Sequence, residues 1–497
     1  MPMSRNTLIA GQAGISFAGF LFGQIVRFFF TMAVARLLGE EALGVYALAF
    51  GVMQIIEVFA VAGFDSAVLR FVNLYPKEGF RGRDTVGFAL RSSVFVAAMS
   101  ALFVILFSSQ LSGLLKGGNL LRFTLISYAA AVPFNVAATI AAHALQGYRQ
   151  LLPKVVAAQV ITPIVMLLLT FALSYFAGRS PALLIPYTAA SIISFFWIWR
   201  KLVHVTGTGY MDMVKAPSDR QMTAYALPLM GVSLLSMMAH WLDILLLGML
   251  AGPIASGLYQ PAARTAGILR AVLPAFAGIV APLVAGIHAG NRSAETESLY
   301  HMTTRWTVLL VTPAAIFLML LPEPVLALFG ARFASEGSVL TILAATALVQ
   351  ALTGISGTVF AMTGHSRIIL LNAIAGLCIQ AAATLLLIPR YGITGAALAA
   401  LLSMVLLSLF RYIEVKSVLK FQPLSAVLWK PALAGGLTAL LLFLLRPWLL
   451  GFHEAFAVGI GIAVTSGCYL MLIIVMGLEE EDREIILKIM PFGMNKP

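Results

Sequence analysis

A small set of polar and ionisable residues interrupts long apolar stretches: Gln24 and Arg27, then Gln54, Glu57 and Asp65, then His240 and Asp243, then Arg264, Arg270 and Arg305. A charge at the centre of a bilayer costs about 2.5 to 3.5 kcal/mol on insertion scales, so such residues face a cavity, a water path or one another. Gln24 and Arg27 stand one helical turn apart, as do Gln54 and Glu57, and His240 and Asp243, which puts each pair on one helix face. Several guanidinium groups around one cleft suit phosphate, because the planar fork meets its oxygens two at a time and stays charged at any pH. The candidate cargo contacts are therefore Arg27, Gln24, Arg264, Arg270 and His240. Glu57, Asp65 and Asp243 are candidates for coupling or gating: an acid would close the empty site or carry a cation. His240 is the member whose charge can change near neutral pH.

Each residue also has a plainer reading. Arg36, Arg70, Arg91 and Arg305 lie near expected helix ends, where a long side chain can reach the headgroups. Glu57 with Arg27, or Asp243 with Arg264, would make structural ion pairs across helices. Asp65 is either a pathway residue or a partner for another helix. Pro133, Pro163, Pro228, Pro274, Pro282 and Pro313 interrupt expected spans, as bends that permit rocking or as kinks absorbed by packing.

The elements that must position these groups are membrane spans. With 60% hydrophobic and 10% charged residues, and a mean hydropathy of +0.96, the chain has too little polar surface for a soluble globule. About fourteen apolar runs reach the roughly 20 residues that a spanning helix needs. Their alternate loops are unequal in basic residues. One set carries Arg5, Arg70, Lys77, Arg81, Arg83, Arg149, Lys154, Arg200, Lys201, Lys215, Arg220, Arg292, Arg367, Arg411, Lys416, Lys420 and Lys430, while the other is much poorer. By the positive-inside rule both termini are cytoplasmic. The net charge of +12 follows from loops that face anionic lipid, and no basic domain for nucleic acid is present. Cys378 and Cys468 fall inside expected spans without metal-ligand spacing and read as small core residues. No cofactor or metal is expected, and no phosphate-cradling Gly-rich Lys-Ser/Thr motif is found. The first apolar run lacks a cleavage pattern and is expected to be an ordinary span.

The longest polar connection, from about Lys201 to Arg220, separates six spans from the next six. An offset of 213 residues carries Gly39 onto Gly252, Ala42 onto Ala255, Gly44 onto Gly257, Tyr46 onto Tyr259 and Ala49 onto Ala262 without a gap. Six spans per copy is even, so the copies share one orientation about an axis along the membrane normal. The same offset places Arg27 on His240 and Glu57 on Arg270. The expected fold is an all-α integral membrane protein of about fourteen spans, with two pseudo-symmetric six-helix bundles around a central cleft and two extra C-terminal helices. The expected lobes are 1–205 and 206–420, with the last two helices and a cytoplasmic tail in 421–497.

The stretch from Ala35-Arg36-Leu37-Leu38-Gly39 to Gly44-Val45-Tyr46, that from Ala62-Gly63-Phe64-Asp65 to Arg70-Phe71, Gln146-Gly147 with Arg149, and Pro389-Arg390-Tyr391-Gly392 to Ala397 carry a resemblance. Over roughly residues 5 to 420 the chain resembles the polysaccharide-biosynthesis flippases of the O-antigen (Wzx) type. These belong to the superfamily that includes the lipid II flippase and the multidrug antiporters. The resemblance implies a two-lobed transporter of the bacterial inner membrane that alternates between inward-open and outward-open states and is not an enzyme. Its implied cargo is an undecaprenyl-pyrophosphate-linked oligosaccharide, its companions membrane lipids, a coupling proton or sodium ion and polysaccharide-assembly proteins. The alternative on the same fold is a cation-coupled drug or small-solute antiporter. A membrane glycosyltransferase is a third reading, opposed by the short external loops.

Overall fold

A computed structural model of the chain describes residues 5–74, 79–207, 209–289, 293–423 and 425–477. Lys77, Arg292 and the tail from Glu479, which the sequence assigns to loops and tail, lie outside the described residues. No strand occurs among the described residues, as expected where lipid offers backbone groups no water and each must be satisfied within its own helix.

The first lobe comprises α1 (Arg5–Leu38), α2 (Glu40–Val61), α3 (Phe64–Leu74), α4 (Gly79–Leu106), α5 (Gly118–Gly147), α6 (Leu151–Phe176) and α7 (Arg179–Thr206). A short α8 (Tyr210–Lys215) leads to α9 (Arg220–Ala251), α10 (Pro253–Arg270), α11 (Val272–Ala289), α12 (Ser293–Leu320), a short α13 (Pro322–Ala327), α14 (Gly337–Leu352) and α15 (Ser366–Glu414). Helices α16 (Trp429–Leu449) and α17 (Glu454–Met476) form a final hairpin.

Among the described residues, 13 helical stretches are long and apolar enough to cross a membrane. One of them, Ser366–Leu419, has 54 residues, about 80 Å at 1.5 Å per residue, against a hydrocarbon core of about 30 Å. It breaks at Gly392 (φ 56°, ψ −131°), so it makes two crossings, as the sequence expects. Trp429 and Trp448, each 55% exposed, stand near the two ends of α16. Their separation matches roughly one hydrocarbon thickness, with amphipathic rings at both interfaces. The protein is a multi-pass membrane protein.

The internal repeat is visible in the backbone. Gly39 (φ 90°, ψ 177°) and Gly252 (φ 88°, ψ 176°) hold the same left-handed turn before α2 and α10, a conformation that glycine adopts without steric cost. Five residues further on, Gly44 and Gly257 face each other across the pseudo-axis. A Cβ on Gly44 would strike the Pro253 carbonyl, and one on Gly257 would strike the Glu40 carbonyl, which is the equivalent atom of the other copy. Small residues let two backbones approach in this way where lipid supplies no hydrophobic drive.

Two expected spans are broken. The run 42–74 turns at Ala62 (φ 53°) and Gly63 (φ 75°), and the run 255–288 is interrupted at Ala271. Gly63 is required twice over, by its φ and by the Ala226 backbone carbonyl, which a Cβ would meet. Contacts of this kind zip α2 to α9 along its length: Gly51 lies under the Trp241 ring and Gly248 under Leu48. The equivalent seam between α1 and α10 is in far looser contact.

At the membrane face where α1 ends, the lobes are tied together. Arg36 Nε donates to the Leu328 carbonyl at 2.6 Å, and its guanidinium approaches Glu454 to 3.9 Å. Glu40 pairs with Arg332, and Lys116 Nζ donates to the Leu250 carbonyl at 2.8 Å. The final hairpin sits on α12 where Gly435 faces Thr312 and Gly461 faces Phe317 and Leu321. Arg446 fixes it to Glu323 at 2.8 Å.

The headgroup reading is corrected for Arg305, which is 7% exposed. Arg36 and Arg70 are exposed and also engage protein: Arg36 bridges helices, Arg70 stacks over Tyr225 at 4.4 Å, and Arg91 donates to the Val214 carbonyl at 3.1 Å. With Arg83, which donates to the Thr206 carbonyl at 2.9 Å, Arg91 docks the interlobe linker onto α4.

Because a Cβ at Gly44 or Gly257 would meet backbone, neither site can relax by turning a side chain. Gly44→Ala and Gly257→Ala should each destabilise the protein by about 1–3 kcal/mol. Gly231→Ala, with open space around it, should be neutral or stabilising by up to about 1 kcal/mol. Unfolding midpoints in detergent measure the difference.

Candidate functional site

A cavity of about 510 Å³ opens between the lobes and reaches deep into the first of them. Its wall includes Gln24, Arg27, Glu57, His240 and Arg264 from the sequence-derived set, together with Lys154.

Arg27 leaves α1 towards α6. Its guanidinium donates to the Ala158 carbonyl at 3.4 Å and to the Gln159 carboxamide. The carbonyl is available because Val156–Ile161 is a π-turn, which takes backbone oxygens out of the ordinary helical ladder. The neighbouring Ala157 carbonyl accepts from Thr162 at 3.0 Å and Ser194 at 3.4 Å. Gly19 and Gly23 make room on α1, since a Cβ at either would strike Val155 or Gln159.

Arg264, on α10, is close enough to Arg27 for the two guanidiniums to repel. Among the described residues Arg264 has no hydrogen-bond acceptor, and neither it nor Arg27 forms a salt bridge. Lys154 is the third cation. Its ammonium donates to His143 Nε2 at 3.0 Å and to Gln146 Oε1 at 2.7 Å. His143 Nδ1 lies 2.8 Å from the Thr139 carbonyl and must carry a proton to donate there, which leaves the Nε2 lone pair for the ammonium. The hydrogen bonds of Arg27 and Lys154 thus go to neutral groups and Arg264 faces cavity space, while the Asp65 carboxylate acts on Lys154 electrostatically without a hydrogen bond to it.

The carboxylates are engaged elsewhere. Glu57 Oε1 accepts from Asn135 Nδ2 at 2.7 Å and from the Tyr187 hydroxyl at 2.5 Å, and Oε2 accepts from Gln54 at 3.2 Å. Asp243 is 7% exposed and off the cavity wall, where it accepts from the Tyr259 hydroxyl at 2.6 Å and the Ile244 amide at 2.9 Å. The ion pairs Glu57–Arg27 and Asp243–Arg264 are therefore replaced by hydrogen bonds to neutral donors. Such bonds satisfy a buried carboxylate without a second desolvated charge.

The structure separates the sequence-derived set. Gln24, Arg27, Glu57, His240 and Arg264 share the main cavity. Asp65 lines an adjoining cavity of about 630 Å³ together with Glu57 and His240, and its place in the first turn of α3 suits the positive end of the helix dipole. Arg270 ends α10 and is not on the main cavity's wall, although its charge reaches His240. Asp243 stands apart from both cavities.

Several wall residues escaped the sequence reading. Lys154 was expected in a loop but belongs to α6. Asn135, His143 and Gln159 sit mid-span like the charged residues, and a search for mid-span polar groups of any kind finds them. The π-turn has no comparable signal. The rest of the wall is aromatic: Tyr46 stacks on Phe50 at 5.4 Å, and Phe50 meets Trp241 and Tyr187 edge-on at 5.6 and 5.5 Å. Among the described residues no three His, Cys, Asp or Glu side chains gather as a metal cluster.

Comparison with known proteins gives consistent relatives. A family model described as "Polysaccharide biosynthesis protein" matches residues 33–335. The chain is 22% identical over 407 residues to the probable low-salt glycan biosynthesis flippase Agl15 of Haloferax volcanii, covering 81% of each. It shares its fold with the lipid II flippase MurJ in an inward closed conformation, at a TM-score of 0.73, 16% identity, 92% of this chain and 97% of the other. An inward-facing multidrug resistance MATE family transporter of the MOP superfamily aligns at a TM-score of 0.66, with 14% identity, 82% of this chain and 98% of the other.

Arg27 keeps its orientation through Gln159, and a bond to a charged group is worth about 1.5–3 kcal/mol. Gln159→Leu should lower stability by about that amount. Gln159→Glu, which keeps the acceptor, should recover most of it in the same detergent unfolding assay.

Proposed function

Because the chain belongs to the polysaccharide biosynthesis protein family, we propose that it moves a lipid-linked oligosaccharide from the cytoplasmic to the outer leaflet by alternating access. The cargo in this reading is an undecaprenyl-pyrophosphate-linked glycan, and Arg264, Arg27 and Lys154 hold its phosphates. The observation that carries the reading is the state of those cations. Each faces one cavity, none is paired with a carboxylate among the described residues, and an unpaired charge at this depth is expensive. An anionic group on the cargo supplies the missing acceptors. Gln24 and His240 complete the polar wall, and Arg270 acts from the end of α10 through His240.

The rest of the cavity fits a glycan joined to a lipid. The faces of Tyr46, Phe50 and Trp241 offer flat apolar surface to sugar rings. The loose α1–α10 seam leaves a lateral way out for a polyprenyl tail, while the zipped α2–α9 seam does not. The basic loops assign the termini to the cytoplasm, so the tied face at Gly39 and Gly252 is the outer one, in the inner membrane of a bacterium. Polysaccharide-assembly proteins would then deliver and collect the cargo.

The antiporter reading has the MATE likeness behind it, and one assay separates the two. Liposomes with the purified protein should transfer a pyrophosphate-linked glycolipid between leaflets. Arg264→Ala should slow that transfer about tenfold to a hundredfold, the loss of one charged hydrogen-bonding group. Arg264→Lys should fall between, because a point charge replaces a fork. Dye efflux without glycolipid transfer, or normal transfer by Arg264→Ala, would overturn the proposal.

A further inference from the structure

We propose that His143 is a positioning residue that aims the Lys154 ammonium at a second phosphate group, and so makes the cavity selective for a diphosphate over a monophosphate. The proposal rests on the cargo reading above and adds a specificity determinant to it. An ammonium carries three hydrogens, and a neutral imidazole has one acceptor nitrogen. Two of the Lys154 hydrogens are occupied, by His143 Nε2 at 3.0 Å and by Gln146 Oε1 at 2.7 Å. The third is left for the cavity, whose wall Lys154 joins. His143 cannot exchange roles, because its Nδ1 is committed to the Thr139 carbonyl 2.8 Å away on the same helix.

What His143 holds off is a carboxylate. Asp65, in the first turn of α3, attracts Lys154 without a hydrogen bond to it. A lysine is a point charge on a flexible stem, so without His143 the ammonium would swing towards Asp65. A closed ion pair there would present no net charge to a cargo. His143 is a neutral acceptor, like Gln146, and it directs the ammonium while leaving its charge whole.

The cations fall into two groups. Arg27 and Arg264 act on each other, and Arg27 is anchored on α6 at Ala158 and Gln159. Lys154 stands four to five residues earlier on the same helix, in the company of His143 and Asp65. That interval is about 6 to 7.5 Å of helical rise, towards the end of α6 that the basic loops assign to the cytoplasm. A monophosphate meets one group or the other. A diphosphate reaches both, with oxygens of one phosphate on the arginine pair and an oxygen of the other on the third Lys154 hydrogen.

The test uses the purified full-length protein, with inorganic pyrophosphate and orthophosphate as probes in titration calorimetry. The wild type should bind pyrophosphate the more tightly. His143→Leu should weaken pyrophosphate about tenfold, the loss of one bond to a charged group, and leave orthophosphate unchanged. Lys154→Met should show the same selective loss, and His143→Leu added to it should cost nothing more, as for a residue that acts through Lys154. His143→Gln, whose carboxamide oxygen takes the place of Nε2, should restore most of the preference. In vesicles, His143→Leu should raise the apparent KM for a pyrophosphate-linked glycolipid and keep the maximal rate. Equal losses for the two anions, additive losses in the double variant, or no recovery in His143→Gln would overturn the proposal. Should His143→Leu fail to fold, an unchanged preference in Lys154→Met overturns it as well. Glycolipid transfer by a wild type that binds both anions alike sinks this inference and leaves the cargo reading standing. Selective loss of pyrophosphate in Lys154→Met, with no glycolipid transfer by the wild type, does the reverse.

Discussion

A guanidinium in the middle of a bilayer is tolerated only where protein or water replaces what the lipid withholds, and the arrangement of the first lobe follows from this constraint. Arg27 is held by a π-turn that gives up a backbone carbonyl and by a carboxamide across two glycines of α1. Lys154 is held by an imidazole lone pair and another carboxamide. In both cases the acceptors are neutral, so the positive charge is oriented but not cancelled.

The acids obey the complementary rule. Glu57 and Asp243 are satisfied by tyrosine hydroxyls, amides and a backbone N–H, which spares them a second buried charge. Three cations, Arg27, Lys154 and Arg264, against the one acid Glu57 on its wall leave the cavity net positive. In a low-dielectric surrounding that charge acts over longer distances than it would at a wet surface.

Much of this was legible in the residues. Apolar length yields the spans, and the glycine and tyrosine echoes at an offset of 213 give the repeat, seen in space as Gly44 against Gly257. The mid-span charges Arg27, Glu57 and Arg264 mark the cavity wall because insertion cost leaves few other reasons for them. Partners were harder to read. Opposite charges at plausible depths suggested Glu57 with Arg27 and Asp243 with Arg264, yet packing set each acid beside neutral donors of other helices. Helix rotation decides such matters, and no local residue pattern encodes it. Lys154 looked like a loop residue since it stands three positions into its helix, and the fold tucks that first turn inside the lobe.

The unequal seams give the molecule a handedness in the plane of the membrane. One flank, between α2 and α9, is shut by backbone-close contacts, while the other, between α1 and α10, is slack. In the transport proposed above, cargo sliding in from the lipid approaches from the slack flank. Neighbours crowding the same membrane are therefore not equivalent: one that settles against the shut flank leaves traffic undisturbed, and one that settles against the slack flank dams it.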